Sequence, residues 1–409
     1  MINEVALAGF RRTFSALKHR NFRLYWFGQM VSLSGSWIQI LAQGWLVLKL
    51  TNSPLYLGLV HAAASLPLLL LSMWGGVLAD RFDKRKILLL TQFASMLLAF
   101  VLGALVSLQQ VQLWHVFLIA FLLGTVNSID APTRQSYIVE LVGKEDLTNA
   151  IALNSAVFNG ARIVGPAIAG FLISKAGLGF CFYLNGISFL AVLWGLWLID
   201  LAPLKHLELM SPVKNLILGL RYIRHTPCVL SLILLIAVSS IFGMAYMVLM
   251  PVFARDILKV GASGLGFLMS ATGLGALIGA LTLAYLGNFS SKSNFLLATC
   301  GLFSLAVFAF SLCRSYPFSL FIMAVAGWSL VSFTAATNTL LQSIVPHELR
   351  GRVMSVYVLA FMGLMPLGSF QAGVIAQWFG APFALALGAC ICAAAVLYLH
   401  VRRKTLLNC

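Results

Sequence analysis

The stretch GGVLADRFDKRK, Gly75–Lys86, carries six charged side chains in twelve residues and is flanked on both sides by long apolar runs. Leu55–Ala79, overlapping its start, and Ile87–Gln112 behind it contain no formally charged residue. Each run is longer than the roughly 20 apolar residues that cross a bilayer as a helix. Lone charges in hydrocarbon are costly, so the charged segment belongs at a membrane surface, turning the chain between two spans.

The rest of the chain has the same character. Of its 409 residues 61% are hydrophobic and only 9% charged, with a mean hydropathy of +0.96. Soluble domains carry roughly 25% charged residues, so the composition is that of a multi-spanning membrane protein. The net charge of +16 does not point to nucleic acid. The basic residues are scattered between apolar segments and form no continuous face; they suit anionic lipid and the positive-inside rule. Seven cysteines, an odd number set mostly in apolar runs, suggest neither a disulfide framework nor a metal site. No phosphate loop, zinc-protease or nucleophile-elbow motif occurs, which argues against an enzyme. No cleavable signal segment is expected at the N-terminus.

Twelve spans are expected, near 22–48, 55–79, 87–108, 112–131, 150–174 and 180–199, then 229–254, 264–287, 294–313, 316–341, 353–378 and 382–401. With the N-terminus inside, the cytoplasmic segments hold 21 of the 27 lysines and arginines, so both termini are expected in the cytoplasm. A shift of 203 residues pairs four of the six glycines between 143 and 179 with another glycine, where chance allows about 0.5. A shift of 208 places Asp80 on Asn288 and Lys84 on Lys292. The chain therefore divides into an amphipathic N-terminal helix (1–21), a first six-helix half (22–199), a linker (200–228), a second half (229–401) and a tail (402–409). Within the linker, Val213–Ile223 is amphipathic and is expected to lie along the membrane face.

The pattern Gly76-x-Leu78-Ala79-Asp80-Arg81-x-x-Lys84-Arg85 resembles the loop between helices two and three of major facilitator superfamily transporters. Residues 21–54, 130–173 and 338–373 resemble the enterobactin-exporter-like and macrolide-efflux-like branch of that superfamily. The resemblance implies an all-α fold of two pseudo-symmetric six-helix halves, working by alternating access. It also implies that Gly160, Gly165, Pro166 and Gly170 form the helix-five signature associated with export by antiport. In the family a carboxylate such as Asp130 can pair with the basic residue of the two–three loop, here Lys84. Asp80, Arg81, Lys84, Arg85, Asp130 and Arg134, with Gly76, are thus expected to form a cytoplasmic gate cluster, with proton carrier an alternative role for Asp130.

Two polar stripes are candidates for a substrate cavity. On helix one, Gln29, Ser32, Ser36, Gln39 and Gln43 recur three and four apart and, on a lipid-facing helix, would be unsatisfied. On helix five, Ser155, Asn159 and Arg162 share one face, with Arg162 near mid-membrane, where an ionisable residue usually marks a pathway. Their counterparts Val358, Met362 and Met365 are apolar, so the stripe belongs to one half alone. Polar helix–helix packing is the alternative for both. His61 and His115 are expected to be packing histidines.

A cavity with one cation and no deep acid favours a neutral or anionic amphiphile. The reading is a monomeric secondary transporter in a bacterial inner membrane, exporting a siderophore-like or similar small molecule. It requires no cofactor or metal, leaves proton coupling open, and has only small solutes and lipid as partners. Multidrug or macrolide efflux is the runner-up, and uptake of an organic anion the third.

Overall fold

The computed structural model describes residues 14–200, 212–287 and 291–402. Twelve of its helices are long and apolar enough to cross a membrane. In the first half these are α1 (Arg20–Thr51), α2 (Pro54–Arg81), α3 (Lys84–Ser107), α4 (Leu113–Val142), α5 (Leu147–Ala176) and α6 (Leu178–Leu198). The linker contributes α7 (Pro212–His225). The second half contains α8 (Pro227–Ile257), α9 (Gly261–Leu286), α10 (Lys292–Leu312), α11 (Tyr316–Ile344), α12 (His347–Phe379) and α13 (Ala381–Val401). The described ends of the chain lie on one side of the bundle, called here the terminal face; the opposite side is the far face.

The repeat seen in the sequence is a repeat of elements. Displacing α4 and α6 by 203 residues lands on the starts of α11 and α13. Gly177 and Gly380, one such pair, both stand at left-handed φ, +84° and +88°, where the chain turns between spans on the far face. A β-carbon is strained in that conformation, so glycine is kept in both halves. The expected span boundaries are displaced mainly because membrane helices continue beyond hydrocarbon: α1 runs through Lys49 and α4 through Glu140. In the second half, α8 is interrupted by π turns at Ser239–Gly243 and Phe253–Ile257, and α12 by one at Leu359–Gly363. Such turns release backbone groups from the helical ladder; the Ser240 hydroxyl donates to the Phe361 carbonyl at 2.6 Å and ties two of them together.

Most of the expected N-terminal amphipathic helix lies outside the described residues. Its visible end is a short 3-10 turn, Ser15–Lys18. The turn is fixed to the loop before α5 by Lys18 and His19, whose nitrogens lie 2.7 and 2.8 Å from the Asp146 carboxylate. Hydrogen bonds from Lys18 first, then His19, hold Asp146 well below the usual carboxylate range. The amphipathic α7 is present, and Gly219 lets it approach the terminal end of α12: a β-carbon there would meet the Arg352 carbonyl at 2.7 Å. One expectation from the cysteines is corrected, since Cys228 at the start of α8 is disulfide-bonded. His115 has the expected local role, accepting from the Gln112 backbone N–H at 3.0 Å at the start of α4.

Candidate functional site

The two halves meet through α5 against α9 and α2 against α12. Small residues make both crossings possible. A β-carbon on Gly170 would lie 2.7 Å from the Ala262 carbonyl, and one on Gly58 only 2.4 Å from that of Ser369. Polar bonds reinforce the seam. Ser263 and Ser270 of α9 donate to the carbonyls of Gly170 and Ile163 at 3.0 and 2.6 Å. Ser53 donates to Gln377 Oε1 at 2.5 Å, and Arg255 reaches across to the Leu48 carbonyl and Asn52 Oδ1 at 3.0 and 2.8 Å. All these bonds lie between mid-membrane and the far face. Toward the terminal face the α5 surface opens instead: Ile151, Ser155 and Phe158 are exposed. The far side is sealed and the terminal side is open.

At the sealed end of this cleft is a cavity of about 20 Å³, room for little more than one water. It is lined by Trp37 and Arg162 from the first half and by Tyr246, Met247, Met250, Met269 and Thr272 from the second. The Arg162 guanidinium carbon sits 5.8 Å from the Trp37 ring centre. Pro166 lacks the N–H that would bond the Arg162 carbonyl. Gly273 of α9 comes up against that carbonyl, with an added β-carbon at 3.0 Å. Ser155 and Asn159 continue the Arg162 face toward the open side, and the Asn159 amide bonds only within its own helix, to the Ser155 carbonyl at 2.9 Å and hydroxyl at 3.5 Å. These three expected residues are brought together.

The stripe on α1 is placed differently. Gln29, Ser32 and Gln39 are buried inside the first half and are not on the cleft wall. Gln39 accepts from the Asn185 amide of α6 at 2.6 Å, while Ser32 donates to Gln92 of α3 at 3.4 Å. Ser36 bonds the Ser32 carbonyl at 3.0 Å, and Gln43 is half-buried. The stripe is polar packing between helices, which satisfies groups that lipid could not. The face that α1 presents to the cleft is carried by Trp37, a residue the polar periodicity does not mark.

The gate cluster is also rearranged. Lys84 Nζ lies 2.5 Å from Glu140 at the end of α4 and does not pair with Asp130. Asp83 caps α3 by accepting from the Arg85 and Lys86 backbone N–H groups, and Arg85 donates to the Leu196 and Trp197 carbonyls at the end of α6, both at 2.7 Å. Lys84 and Arg85 thereby fasten the hairpin to its own half. Arg81 is exposed, Asp80 is half-buried, and Gly76 faces open space. Asp130, one helical turn below Arg134, is buried and ion-paired with it. Its Oδ1 also accepts from Thr91 and Gln92, each at 2.8 Å, and Arg134 donates to Gln29 Oε1 at 3.0 Å. This network is interior to the first half. Asp130 lies ten residues, nearly three turns, deeper along α4 than Glu140, which Lys84 reaches.

In the helix-five signature, Gly165 packs against Trp37 of α1, Pro166 and Gly170 pack against α9, and Gly160 faces open space on the side of exposed Val164 and Phe171, away from the Arg162 face. The signature forms much of the α5 side of the seam. Among the described residues, no group of three or more histidines, cysteines or acids could hold a metal.

Twelve spans in two repeated halves around a cleft sealed at one face define a transporter of the major facilitator superfamily. The chain matches the transmembrane secretion effector family over residues 11–406 and belongs to it. It is 27% identical over 352 residues to the staphyloferrin A transporter of Staphylococcus aureus, covering 85% of this chain and 87% of the relative. It is 25% identical over 361 residues to the multidrug efflux pump Tap of Mycolicibacterium fortuitum, with 86% and 88% covered. To the enterobactin exporter EntS of Escherichia coli it is 27% identical over 342 residues, with 83% and 81% covered. Its fold is similar to that of a bacterial homologue of the lysosomal transporter Spinster, solved inward-facing and unoccupied, with a TM-score of 0.71 at 16% identity over 96% of each chain. The protein is a transporter and not an enzyme.

Proposed function

We propose that this protein exports an amphiphilic, neutral or anionic small molecule of siderophore-like character from the cytoplasm across a bacterial inner membrane. The observation that carries the reading is Arg162 at the closed end of the cleft, with no carboxylate within salt-bridge distance among the described residues. A cation there favours acidic or neutral solutes and disfavours cationic ones. The excess of lysine and arginine in the segments of the terminal face supports a cytoplasmic assignment for it, so a cleft open on that side loads from within the cell. Relatives named for siderophore transport and export support the substrate class. Both walls of the cleft come from one chain, which supports a monomer as the working unit. Drive by a proton gradient is included in the proposal, on the export signature alone.

The test is metabolite profiling of cells with and without the gene. An acidic or neutral amphiphile is expected to fall in the medium and accumulate inside when the gene is deleted. The parent chain should restore its release, whereas Arg162→Met should slow it about tenfold, the effect of losing roughly 1.4 kcal/mol of binding. Accumulation from the medium into expressing cells, or full export by the Arg162→Met variant, would contradict the reading. Release unaffected by collapse of the pH gradient would remove proton drive.

A second reading, multidrug efflux, is favoured by one feature. Met247, Met250 and Met269 line the cavity, and thioether side chains adapt to varied apolar shapes. The relationship to Tap is consistent with it.

A further inference from the structure

The closed end of the cleft contains a hydrogen-bonding deficit that the packing leaves unresolved. Tyr246 of α8 is fully buried, its ring set edge-on to Phe303 at 6.0 Å, and its hydroxyl proton has no acceptor among the described residues. Arg162, from the other half, lies beside it in the same cavity. A guanidinium only donates, so Arg162 cannot accept the phenol proton whatever angle it adopts. The Thr272 hydroxyl, also in the lining, is bonded to the Leu268 carbonyl at 2.9 Å and is not within hydrogen-bond reach of Tyr246. The cation is under-compensated as well. Its charge-related contacts are the Trp37 ring and the Tyr246 hydroxyl oxygen, both weak partners beside a carboxylate. Two convergent donors, one charged, thus face a space with no anionic acceptor.

We infer that Arg162 and Tyr246 form a clamp for an ionised oxyacid group, a carboxylate or its equivalent, on the transported compound, with the compound's apolar body leaving the cavity past Trp37 into the open cleft. An oxyanion supplies what the site lacks: a counter-charge for Arg162 and an acceptor for the Tyr246 proton. The cavity admits only the head group as it stands, so the body extends into the open cleft toward Asn159 and Ser155. Because the donors come from opposite halves, an anion held there bridges them. The solute's charge then bears on the equilibrium between the two faces, as well as on affinity. The inference rests on the reading of this cleft as the transport path, and it adds the head group and the Tyr246 donor.

The test is binding to the purified full chain in detergent, measured by titration calorimetry with benzoate, 4-phenylbutyrate and 2-naphthoate, each beside its uncharged amide. The parent protein is expected to bind at least one of these acids about tenfold more tightly than its amide. Tyr246→Phe, which removes only the hydroxyl, should erase most of that preference by weakening the acid much more than the amide, and Arg162→Met should do the same. The thermal melting of each variant without ligand checks that it folds, and Ser174→Ala, exposed near the far end of α5 and outside the cavity, serves as a change expected to leave the preference intact. Equal binding of acid and amide, a preference that survives both clamp substitutions, or no binding of any of the three acids overturns the clamp. Cellular export in the expected direction alongside any of these results would remove the clamp and leave the exporter standing. Acid preference that depends on Arg162 and Tyr246, in a protein that releases nothing from cells, would do the reverse.

Discussion

Gly170→Leu is expected to prevent the far face from sealing and so to stop the transport cycle. The Gly170 position has no room for a side chain while α5 and α9 are together: even a β-carbon meets backbone at 2.7 and 2.9 Å, and the Ser263 hydroxyl is bonded to its carbonyl. Backbone cannot turn aside as a flexible side chain can. Overpacking of this kind costs about 1–3 kcal/mol. The cost falls on the state in which the far face is closed and is relieved when α5 and α9 part. A cost of that size on one of two states shifts their ratio by about 5- to 150-fold. The readout is the rate at which an impermeant thiol reagent, applied from the terminal face, modifies a cysteine introduced at Asn159. The rate should fall, by at most that factor, in the Gly170→Leu background, while thermal melting in detergent stays near that of the parent. An unchanged rate would mean that the α5–α9 seam is not the seal.

Asp130→Asn is expected to destabilise the protein by about 3–5 kcal/mol, the usual cost of leaving a buried charge without its partner. Asp130 is 1% exposed and carries the counter-charge of Arg134, with Thr91 and Gln92 completing its shell. The amide keeps the shape but removes the charge, and Arg134 Nε and Gln29 Nε2 already lack partners in the same network. Removing both charges should be far cheaper than removing one. Asp130→Leu combined with Arg134→Met is therefore expected to recover most of the loss in thermal melting. A single Asn substitution that melts like the parent would mean that Asp130 is not ionised in the folded protein, which would return it to consideration as a proton carrier.

Much of the fold could be read from the chain because the bilayer constrains it so tightly. The charged hairpin at 80–86, the long uncharged runs and the glycine repeat at 203 residues all have direct structural counterparts. Gly177 and Gly380 supply the reason for the repeat in their shared left-handed turn. The stripe Ser155, Asn159 and Arg162 was legible because a charge in mid-membrane needs an aqueous or polar surface. The α1 stripe was misleading for the same physical reason: a polar face satisfies the bilayer equally well against water or against Gln92 and Asn185. Which of the two occurs depends on the neighbouring helices. Lys84 takes Glu140 because α4 continues a full three turns past Asp130, a length that hydropathy does not report. Tyr246 sits in an apolar run and has the look of core, and Trp37, between Ser36 and Gln39, falls off the polar period of α1. Only the placement of the halves shows that they face Arg162.

The account's central claim is that a cleft beneath Arg162 opens to the terminal face while the far face is sealed. The most direct test is the sidedness of thiol modification at Asn159→Cys, with Cys313 and Cys390 replaced by serine, in right-side-out and everted vesicles. The account predicts rapid modification in everted vesicles, where the cytoplasmic face is presented to the reagent, and slow modification in right-side-out ones. Faster modification from the outer face, or none from either side, would contradict it.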